Sequence, residues 1–405
     1  MKPTITKTMI VPRYLAHFQC IGAECPSTCC SGWRVTIDKS TFQRYKNTTD
    51  PVVVPILSHA LKRNRHAQNA QEYGQIRLDK QGDCPLQDGK GLCQIHKRLG
   101  EGVLSDTCQV YPRVTQQFAG QYEQVLTLSC PEAARLALLS EDAFAFEALP
   151  LTARESSINK LKFTGGDEEN IFATRAWVMQ LLHTEALHIS DRLAIVGLLC
   201  DQLESLIREQ KTGEVGNLLQ HMTVVVESGA ILETLAALPR DEALQVQLFS
   251  RFLCERDMGG NTSRANAVFA NVIRGLGADE QRRAQVDDLL RNYQQGCVLL
   301  ERTPDFNAVM SRYFLNEAIR ETFPWQAGSP LQQHRRWVVL FGVLRVMLAG
   351  YACHAGRPLE AREMVDVIWG FCRVFQHNRG FAKSIEDILE RCQWNSLPQL
   401  LAVLK

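Results

Sequence analysis

The sequence lacks an uninterrupted hydrophobic run of the length that crosses a membrane. Its most apolar stretch, residues 337–353, contains Arg345, whereas a spanning helix needs about 20 predominantly apolar residues. Residues 1–13 have no apolar segment of the kind that forms a secretory signal peptide. We therefore predict a buried helix at residues 337–353, no transmembrane segment and a cytoplasmic location, with peripheral membrane contact left open.

Several motifs of common enzyme classes are also missing. No P-loop, GxSxG or HExxH sequence occurs, so nucleoside triphosphatases and the hydrolases that use these motifs lose support. Residues 275–277, Gly-Leu-Gly, follow a helical pattern, which predicts a helix end rather than a nucleotide-binding loop. The C-x3-C-x2-C motif of radical enzymes that use S-adenosylmethionine begins at Cys25 and Cys29, but Gly32 occupies its third position.

Strong clustering of charge is absent as well. The formal net charge is +1; residues 1–135 carry 17 Lys and Arg against 11 Asp and Glu, and the remaining residues carry 28 against 33. The front of the chain is mildly basic and the back mildly acidic, without the dense stripe of Lys and Arg that binds duplex nucleic acid. We predict no nucleic-acid partner.

Residue patterns divide the chain into two regions. A length of 405 residues, with 45% hydrophobic and 22% charged residues, predicts a globular protein of two domains. Residues 1–150 mix turns with short strand and helix patterns, whereas the later residues follow a helical period. The predicted fold is mainly α: a cysteine-rich α+β metal-binding domain at residues 1–150, followed by an all-α domain at residues 151–405.

Local patterns place individual elements within this outline. Strands are predicted at residues 33–38 and 73–78, helices at 40–46 and 131–139, and an extended connector at 51–55. The polar stretch at 165–170 separates the regions, and glycine or proline, as at Pro239 and residues 259–260, breaks the later helices. Those helical segments are 171–207, 218–238, 243–253, 278–300, 306–322, 337–351 and 359–375.

Cysteine is concentrated in the first third of the chain. Eight of the 14 cysteines lie between residues 20 and 130, most of them beside turn-forming glycine or proline. Such loops can fold around an ion and aim backbone N–H groups at thiolate sulfurs. The predicted metal ligands are Cys20, Cys25, Cys29, Cys30, Cys84, Cys93, Cys108 and Cys130. The remaining six occur singly in apolar helical patterns and are predicted to pack as small hydrophobic residues: Cys200, Cys254, Cys297, Cys353, Cys372 and Cys392.

The spacing of the eight cysteines leaves the identity of the metal open. Without a signal peptide, the reducing cytosol disfavours disulfides. Zinc sites commonly use two close cysteine pairs, whereas an iron–sulfur cluster accepts four thiolates from widely separated loops. Zinc and iron–sulfur therefore both remain open, as do one cluster with spare thiols and two metal sites. Because adjacent side chains usually diverge, Cys29 and Cys30 are not expected to bind the same atom.

Five other residues near the cysteines are candidates for a role at the site. His96 could bind the metal or donate to a ligand, although surface and packing roles are commoner for a single histidine. Ser105 or Asp106 is predicted to cap a turn whose amides face the Cys108 sulfur. Arg113 is expected to neutralise cluster charge, to hold a substrate carboxylate or to form a structural ion pair. Trp33 is expected to form core or to stack on a ligand.

The cysteine pattern resembles that of a known family. The chain is similar to the bacterial flagellin lysine-N-methylase family and, through its cysteine motif, to zinc- or iron-chelating CxxxCxxCC proteins. The order and spacing of all eight cysteines carry the resemblance, which extends over nearly the whole chain. The matching segments are 18–33, 83–86, 92–96, 99–101, 104–113, 128–135 and 313–324.

This resemblance implies an enzyme that methylates flagellin lysine side chains with S-adenosylmethionine as methyl donor. It also implies an iron–sulfur cluster, [4Fe–4S], held by the amino-terminal cysteines, with zinc as the alternative, and it leaves donor or partner binding to the all-α domain. It assigns no catalytic or donor-binding residue. The competing hypothesis is a non-catalytic metal-binding or electron-transfer module, or a chaperone, whose helical domain holds a partner.

Overall fold

The computed structural model describes most of the chain. It leaves undescribed residues 1–3, 34, 68, 162–167, 239, 255–262, 280, 282, 327, 377–379, 392 and 395, and the side chains of residues 252, 254 and 382. The predicted breaks at Pro239 and at residues 259–260 lie outside the described residues. So do residues 165–167 of the polar stretch and the predicted packing of Cys254 and Cys392, whereas residues 168–170 of that stretch begin a helix.

Eight strands, all before residue 161, form two sheets in the described part of the chain. They are β1 Thr4–Pro12, β2 Val35–Ile37, β3 Leu61–Arg63, β4 Gly74–Ile76, β5 Arg113–Phe118, β6 Gln121–Leu126, β7 Phe146–Arg154 and β8 Ile158–Lys160. The larger sheet has the order β7-β1-β6-β5-β8, and the smaller has β2-β4-β3. The strands predicted at 33–38 and 73–78 are confirmed as β2 and β4.

The larger sheet joins distant parts of the sequence. β1 runs antiparallel to β7 over its whole length, from Thr4 beside Arg154 to Pro12 beside Phe146. β5 and β6 form a hairpin whose two-residue turn has positive φ at Gly120, a conformation in which glycine carries no steric cost. Because β7 crosses residue 150 and β8 continues to Lys160, strands reach beyond the predicted boundary; the division into two domains stays a prediction.

Six short helices accompany these strands. They are α1 Arg13–Ala16, α2 Lys39–Lys46, α3 Val53–Ala60, α4 Gln94–Leu99, α5 Asp106–Val110 and α6 Pro131–Leu139. The helices predicted at 40–46 and 131–139 are confirmed as α2 and α6. The extended connector predicted at 51–55 is wrong, because the Asp50 carboxylate accepts the backbone N–H groups of Val52 and Val53 and thereby starts α3.

Twelve helices make up the described residues after the sheets, which confirms the mainly helical fold. They are α7 Glu168–His183, α8 Ile189–Arg208, α9 Val215–Glu227, α10 Ala230–Ala236, α11 Glu242–Cys254, α12 Ser263–Gly275, α13 Val286–Glu301, α14 Phe306–Arg320, α15 Pro330–Ala355, α16 Ala361–Phe371, α17 Phe381–Arg391 and α18 Leu397–Leu404. The helix end predicted at 275–277 is confirmed, since α12 ends at Gly275. α13 begins later than predicted because the Asp279 carboxylate binds the backbone N–H groups of Gln281 and Arg283 and holds a turn.

The long helix α15 lies at the centre of the helical region. Within the described residues it is the one helix long and apolar enough to cross a membrane by length and composition, and 78% of its most apolar window is buried inside the protein. Its burial confirms the prediction for residues 337–353. The helix begins earlier than predicted because Ser329 accepts the N–H of Gln332 and Pro330 fits its first turn.

The buried residues form two hydrophobic cores. The main core packs the larger sheet against the helices and includes Met9, Val125 and most of the buried face of α15. The small core lies around β2, β3 and β4, with Ile37, Phe42 and Ile76 among its members. Five of the eight candidate ligands lie in or against these cores: Cys130 in the main core, and Cys30, Cys84, Cys93 and Cys108 in or against the small core.

Candidate functional site

A cysteine-rich loop, residues 20–33, begins the candidate site. Gly22 and Gly32 adopt positive φ angles of 55° and 75°, so the loop can turn sharply near both ends. The N–H of Gly32 donates to the carbonyl oxygen of Gly82 at 2.9 Å, and Ser31 forms a β-bridge with Asp83. The loop is thereby fixed against the segment that carries the next cysteine.

Four of the predicted ligands share the small core. The side chain of Cys84 is buried there, and those of Cys30, Cys93 and Cys108 pack against it. Backbone contacts hold their segments together: the N–H of Cys84 donates to the carbonyl oxygen of Cys30 at 2.8 Å, and Gln87 forms a β-bridge with Cys93. We call these four residues the inner group.

Of the other four predicted ligands, only Cys130 belongs to the main core. Cys130 is buried within it, Cys25 is half-buried, and Cys20 and Cys29 are exposed. Cys20 and Cys29 both raise the pKa of the Cys25 thiol, after burial, and Cys25 and Cys29 act in the same way on Cys130. Cys29 also raises the pKa of Cys84, Cys93 and Cys108, so it is an electrostatic neighbour of both sets of thiols. We call Cys20, Cys25, Cys29 and Cys130 the outer group.

Cys29 and Cys30 connect the two groups. The Cys30 thiol donates to the Cys29 sulfur, which lowers the pKa of Cys29 to about 7 and raises that of Cys30. The two adjacent side chains therefore meet rather than diverge, contrary to the expectation from sequence. That Cys29 and Cys30 bind different metal atoms stays a prediction.

Burial holds most of the remaining thiols neutral. It raises the pKa of Cys84 to about 11 and that of Cys108 and Cys130 to about 12. A buried thiol in this state is inert, but a bound metal removes its proton because the thiolate is the ligand. The residues are thus poorly suited to free-thiol nucleophilic catalysis and suited to metal binding.

The thiols fit an iron–sulfur cluster by donor chemistry. Among the described residues, which include all eight cysteines, no three His, Cys, Asp or Glu side chains converge as they would around one ion. A [4Fe–4S] cluster takes one thiolate on each of four iron atoms, so its ligands stand further apart than those of a single zinc ion. Four thiols held on separate backbone segments suit that arrangement.

The helical region contacts the cysteine loop through one face of α16 and the π-helical turn Cys372–Gln376 that follows it. Arg373 donates to the carbonyl oxygens of Thr28 at 3.0 Å and Ser31 at 2.5 Å, which flank the paired cysteines. Trp369, one turn earlier, donates to the carbonyl oxygen of Ser129 at 2.9 Å, next to Cys130. π-Helical turns occur often at functional sites.

A buried polar network connects the same π-helical turn to α14 and β6. Gln376 donates to the Tyr313 hydroxyl at 2.8 Å and to the Glu317 carboxylate at 3.0 Å, while the Tyr14 hydroxyl donates to Asn316 at 2.6 Å. The Glu317 side chain is 1% exposed and paired with Arg320. Because its carboxylate is closed to solvent and already paired, the network is a structural link rather than an open catalytic site.

One cavity adjoins the cysteine region, and another opens between residues 141–144 and the helices. One of about 550 Å³ lies beside α5, the helix that carries Cys108, and is lined by polar side chains that include Thr36, Asp106 and Asn159. The other, of about 290 Å³, lies between Phe144 and the helical residues Arg192 and Arg312. Volumes near these are typical of small-molecule sites. Neither cavity was assigned from sequence.

Comparison with known proteins identifies the family to which the chain belongs. Residues 175–403, more than half of the chain, match the family model of the FliB lysine N-methylase C-terminal domain. The chain belongs to this family. The FliB segment contains Arg373, which binds the cysteine loop, and Trp369, which binds Ser129 beside Cys130.

Curated relatives of this FliB-family chain extend the comparison to the cysteine region. A lysine-N-methylase of Salmonella choleraesuis (strain SC-B67) is 24% identical over 95% of both chains, and one of Salmonella typhimurium is 23% identical over the same share. The flagellar biosynthetic protein FliU of Salmonella muenchen is 32% identical over 38% of this chain and 90% of its own length. No solved structure gives a significant match. These findings confirm the resemblance seen in the sequence and support a lysine methyltransferase function.

The smaller sequence predictions at the FliB-family site have mixed outcomes. Ser105 caps α5 as expected and accepts the N–H of Cys108 at 3.3 Å. His96 is exposed. Arg113 lies over the Phe18 ring at 5.5 Å, and the Trp33 indole donates to the carbonyl oxygen of Cys29 at 2.5 Å. Trp33 therefore packs on the cysteine loop itself.

Sequence reasoning missed Trp369, Arg373 and Gln376. Of these, only Arg373 gave a signal in the sequence, because it is a charged residue inside an apolar helical pattern. Charged side chains in such patterns are almost never buried without a partner. The sequence could indicate that Arg373 needs a partner, but the two carbonyl oxygens that it binds lie more than 340 residues away along the chain.

Proposed function

We propose that this FliB-family chain is an S-adenosylmethionine-dependent protein-lysine N-methyltransferase that acts on flagellin in the cytoplasm and depends on a [4Fe–4S] cluster. One observation carries the proposal: Trp369 and Arg373 of the FliB-family segment bind the carbonyl oxygens of Ser129, Thr28 and Ser31, which stand directly beside Cys130, Cys29 and Cys30. Four thiolates are the full protein ligand set of such a cluster.

The substrate part of the proposal rests on the relatives. Two are lysine-N-methylases, and a third is a flagellar biosynthetic protein. A lysine side chain on a flagellar protein accounts for both descriptions. The family resemblance that the sequence carries favours flagellin as that protein.

The proposed reaction is a methyl transfer that balances without any other reactant. The lysine nitrogen first gives up a proton, because its pKa of about 10.4 leaves it protonated at neutral pH. Its lone pair then forms a bond to the methyl carbon, the carbon–sulfur bond of the sulfonium breaks, and S-adenosylhomocysteine leaves. The chain's part is to align the two reactants and to favour the neutral amine by desolvation or by a nearby base.

The cluster would be held by thiols of the cysteine region, with zinc as the alternative occupant. When bound, an iron–sulfur cluster supplies either electrons or a fixed charge beside the reactants. The chain's own residues supply its surroundings. The Arg373 guanidinium adds positive charge that contributes to the lowered pKa of Cys29 and opposes the rise in the pKa of Cys25 that burial causes.

The decisive experiment uses the full chain purified without oxygen. The chain is incubated with flagellin and S-adenosylmethionine that carries a labelled methyl group, and the products are analysed by mass spectrometry. We expect label on flagellin lysine side chains and an equal amount of S-adenosylhomocysteine. The matched control replaces flagellin with flagellin whose lysines have been chemically methylated beforehand.

Two results would contradict the proposal. If a preparation that contains iron and sulfide binds the donor but transfers no label, flagellin or the reaction itself is wrong. If the chain does not bind the donor and only stabilises flagellin against aggregation, the binding or chaperone hypothesis replaces the enzyme.

A further inference from the structure

The cavity of about 290 Å³ is bounded by residues 141–144, by the end of α7 and by the helices α8 and α14. Its apolar lining includes the buried side chains of Phe144 and Leu315, and its polar lining includes Arg192 and Arg312. Ligand sites typically have volumes of about 300–1,000 Å³, so this volume suits a small ligand. The lining favours a ligand that combines an apolar part with negative charge.

Arg192 brings a positive charge to this cavity without a paired carboxylate. It is 1% exposed, its Nε donates to the carbonyl oxygen of Leu187 at 2.9 Å, and its Nη1 donates to that of Leu182 at 2.6 Å. Among the described residues, its Nη2 has no hydrogen-bond partner and no carboxylate forms an ion pair with it. Burial lowers the pKa of Arg192, although Glu185 opposes this effect from a distance. Because a buried cation without a paired anion is costly, the position favours an anionic ligand.

A second arginine, Arg312, lines the same cavity. Its Nη1 donates to the carbonyl oxygen of Leu138 at 2.9 Å, and its Nε and Nη2 have no partner in the part of the chain that the structure describes. Burial, Arg192 and Arg312 together lower the pKa of His183, so both guanidinium groups act on one side chain of the cavity wall. Two guanidinium groups with unused N–H groups match the geometry of a carboxylate.

Hydrogen bonds hold these donors in place without a ligand. The Ser311 hydroxyl accepts from Arg192 at 2.8 Å and donates to the carbonyl oxygen of Leu182. The Asn307 side chain accepts the N–H of Ile189 at 3.1 Å, at the start of α8. Because these bonds connect α7, α8 and α14, the cavity wall is organised before a ligand binds, which lowers the cost of binding.

Negative charge lies at the exposed part of the cavity. Glu141 and Glu185 both line it and are both exposed. Neither carboxylate forms an ion pair with another described residue. The cavity therefore presents arginines in its buried part and carboxylates at its exposed part. An α-amino acid carries the complementary charges, since a carboxylate and an ammonium group are attached to the same carbon atom.

We propose that this cavity binds an α-amino-acid group, with the carboxylate on Arg192 and Arg312 and the ammonium group facing Glu185. The apolar lining accommodates the carbon chain of the ligand. Two sources supply such a group: the methionine end of S-adenosylmethionine and a free amino acid. In counting the methyl donor as one source, this inference rests on the proposed function.

The test is titration calorimetry of the full chain, purified without oxygen, with three probes. S-adenosylhomocysteine carries a nucleoside and the amino-acid group, methylthioadenosine carries the nucleoside alone, and L-methionine carries the amino-acid group alone. We expect one or both of the amino-acid probes to bind, and methylthioadenosine to bind at least about tenfold more weakly. Tighter binding of S-adenosylhomocysteine than of L-methionine assigns the cavity to the donor, and the reverse order assigns it to a free amino acid.

Variants of the charged lining locate the binding. Arg312→Gln should weaken the binding of the amino-acid probe at least about tenfold, and Arg312→Lys should restore part of the loss because it keeps the charge without the planar fork. Glu185→Gln should also weaken binding, through the ammonium group. Arg302→Gln is the matched control, since Arg302 is exposed and lies outside the cavity lining. If Arg312→Gln does not fold, as judged by circular dichroism, the exposed Glu185 still tests the site.

The inference is overturned if neither amino-acid probe binds, or if methylthioadenosine binds as tightly as the better of the two. It is overturned equally if folded Arg312→Gln or Glu185→Gln binds as tightly as Arg302→Gln. The same preparations are assayed for methyl transfer to flagellin. Binding that depends on Arg312 without methyl transfer would leave this inference standing and sink the proposed function. Methyl transfer by a chain whose donor binding is indifferent to Arg312→Gln would do the reverse.

Discussion

His334 is a titratable side chain that the fold keeps neutral. It is fully buried, its Nε2 lies 2.9 Å from the carbonyl oxygen of Leu193, and Gly197 leaves room for the ring. Burial, with a smaller effect from Arg335, lowers the pKa of His334 to about 4. Between about pH 6.5 and pH 4, the His334 side chain is therefore neutral in the folded protein and protonated in the unfolded chain.

This residue gives a prediction about pH. Because the folded pKa is lowered, the contribution of His334 to stability is complete above about pH 6.5 and is lost as the pH falls towards 4, by roughly 3 kcal/mol. Urea unfolding of the wild type and of His334→Gln, measured at several pH values, tests it. The wild type should lose more stability between pH 7 and pH 4 than the variant; parallel losses would contradict the assignment.

At the scale of elements, the helical region is held by close backbone approaches to α15. A Cβ atom added at Gly275 of α12 would lie 1.7 Å from the carbonyl oxygen of Gly350, and one added at Gly296 of α13 would lie 2.2 Å from that of Ala349. Two helices thus pack on α15 with only hydrogen atoms at the contact. No flexible side chain is present at either point to move aside.

Replacing glycine by alanine at two helical positions separates the effect of packing on stability from the effect of helix propensity. Gly275→Ala should destabilise the protein by about 3 kcal/mol or more, since α12 must move away from α15. Gly216→Ala, on the exposed side of α9 with nothing within 4 Å of the added atom, should stabilise it by about 0.8 kcal/mol. Denaturant midpoints of the two variants measure both effects, and changes of the same sign would show that the close approach is not maintained in solution.

At the scale of the whole molecule, the two hydrophobic cores differ in what stabilises them. The main core contains large buried surfaces from α8, α14 and α15, and needs no metal to account for its stability. The small core is formed by few large side chains around a three-stranded sheet. Small cores of this kind usually need an additional stabilising element such as a metal.

Metal removal should therefore affect the two cores unequally. Hydrogen exchange followed by mass spectrometry, on anaerobic protein before and after chelation of its metal, should show faster exchange in β2, β4 and α5. Exchange in α15 should stay unchanged. An equal increase in α15 would mean that the cores unfold together, and no increase in β2 and β4 would mean that the inner thiols stabilise nothing.

The sequence determined much of the local structure because its signals act over a few residues. Helical periodicity predicted most of the long helices, Pro131 marked the start of α6, and a Gly-Leu-Gly segment marked the end of α12. The exception at Val53–Ala60 has a local cause as well: the Asp50 carboxylate is an N-cap signal that outweighed the β-branched residues after it.

The sequence by itself also determined the chemistry available to this protein, since eight thiols in one third of the chain restrict what the site can hold, and their order indicates the family. Only the tertiary structure decided which of those thiols are buried in a core and which segment of the helical region binds their loop. Arg373 and Ser31 are 342 residues apart along the chain. A contact of that separation leaves no local pattern, because it exists only when two independently formed surfaces pack against each other.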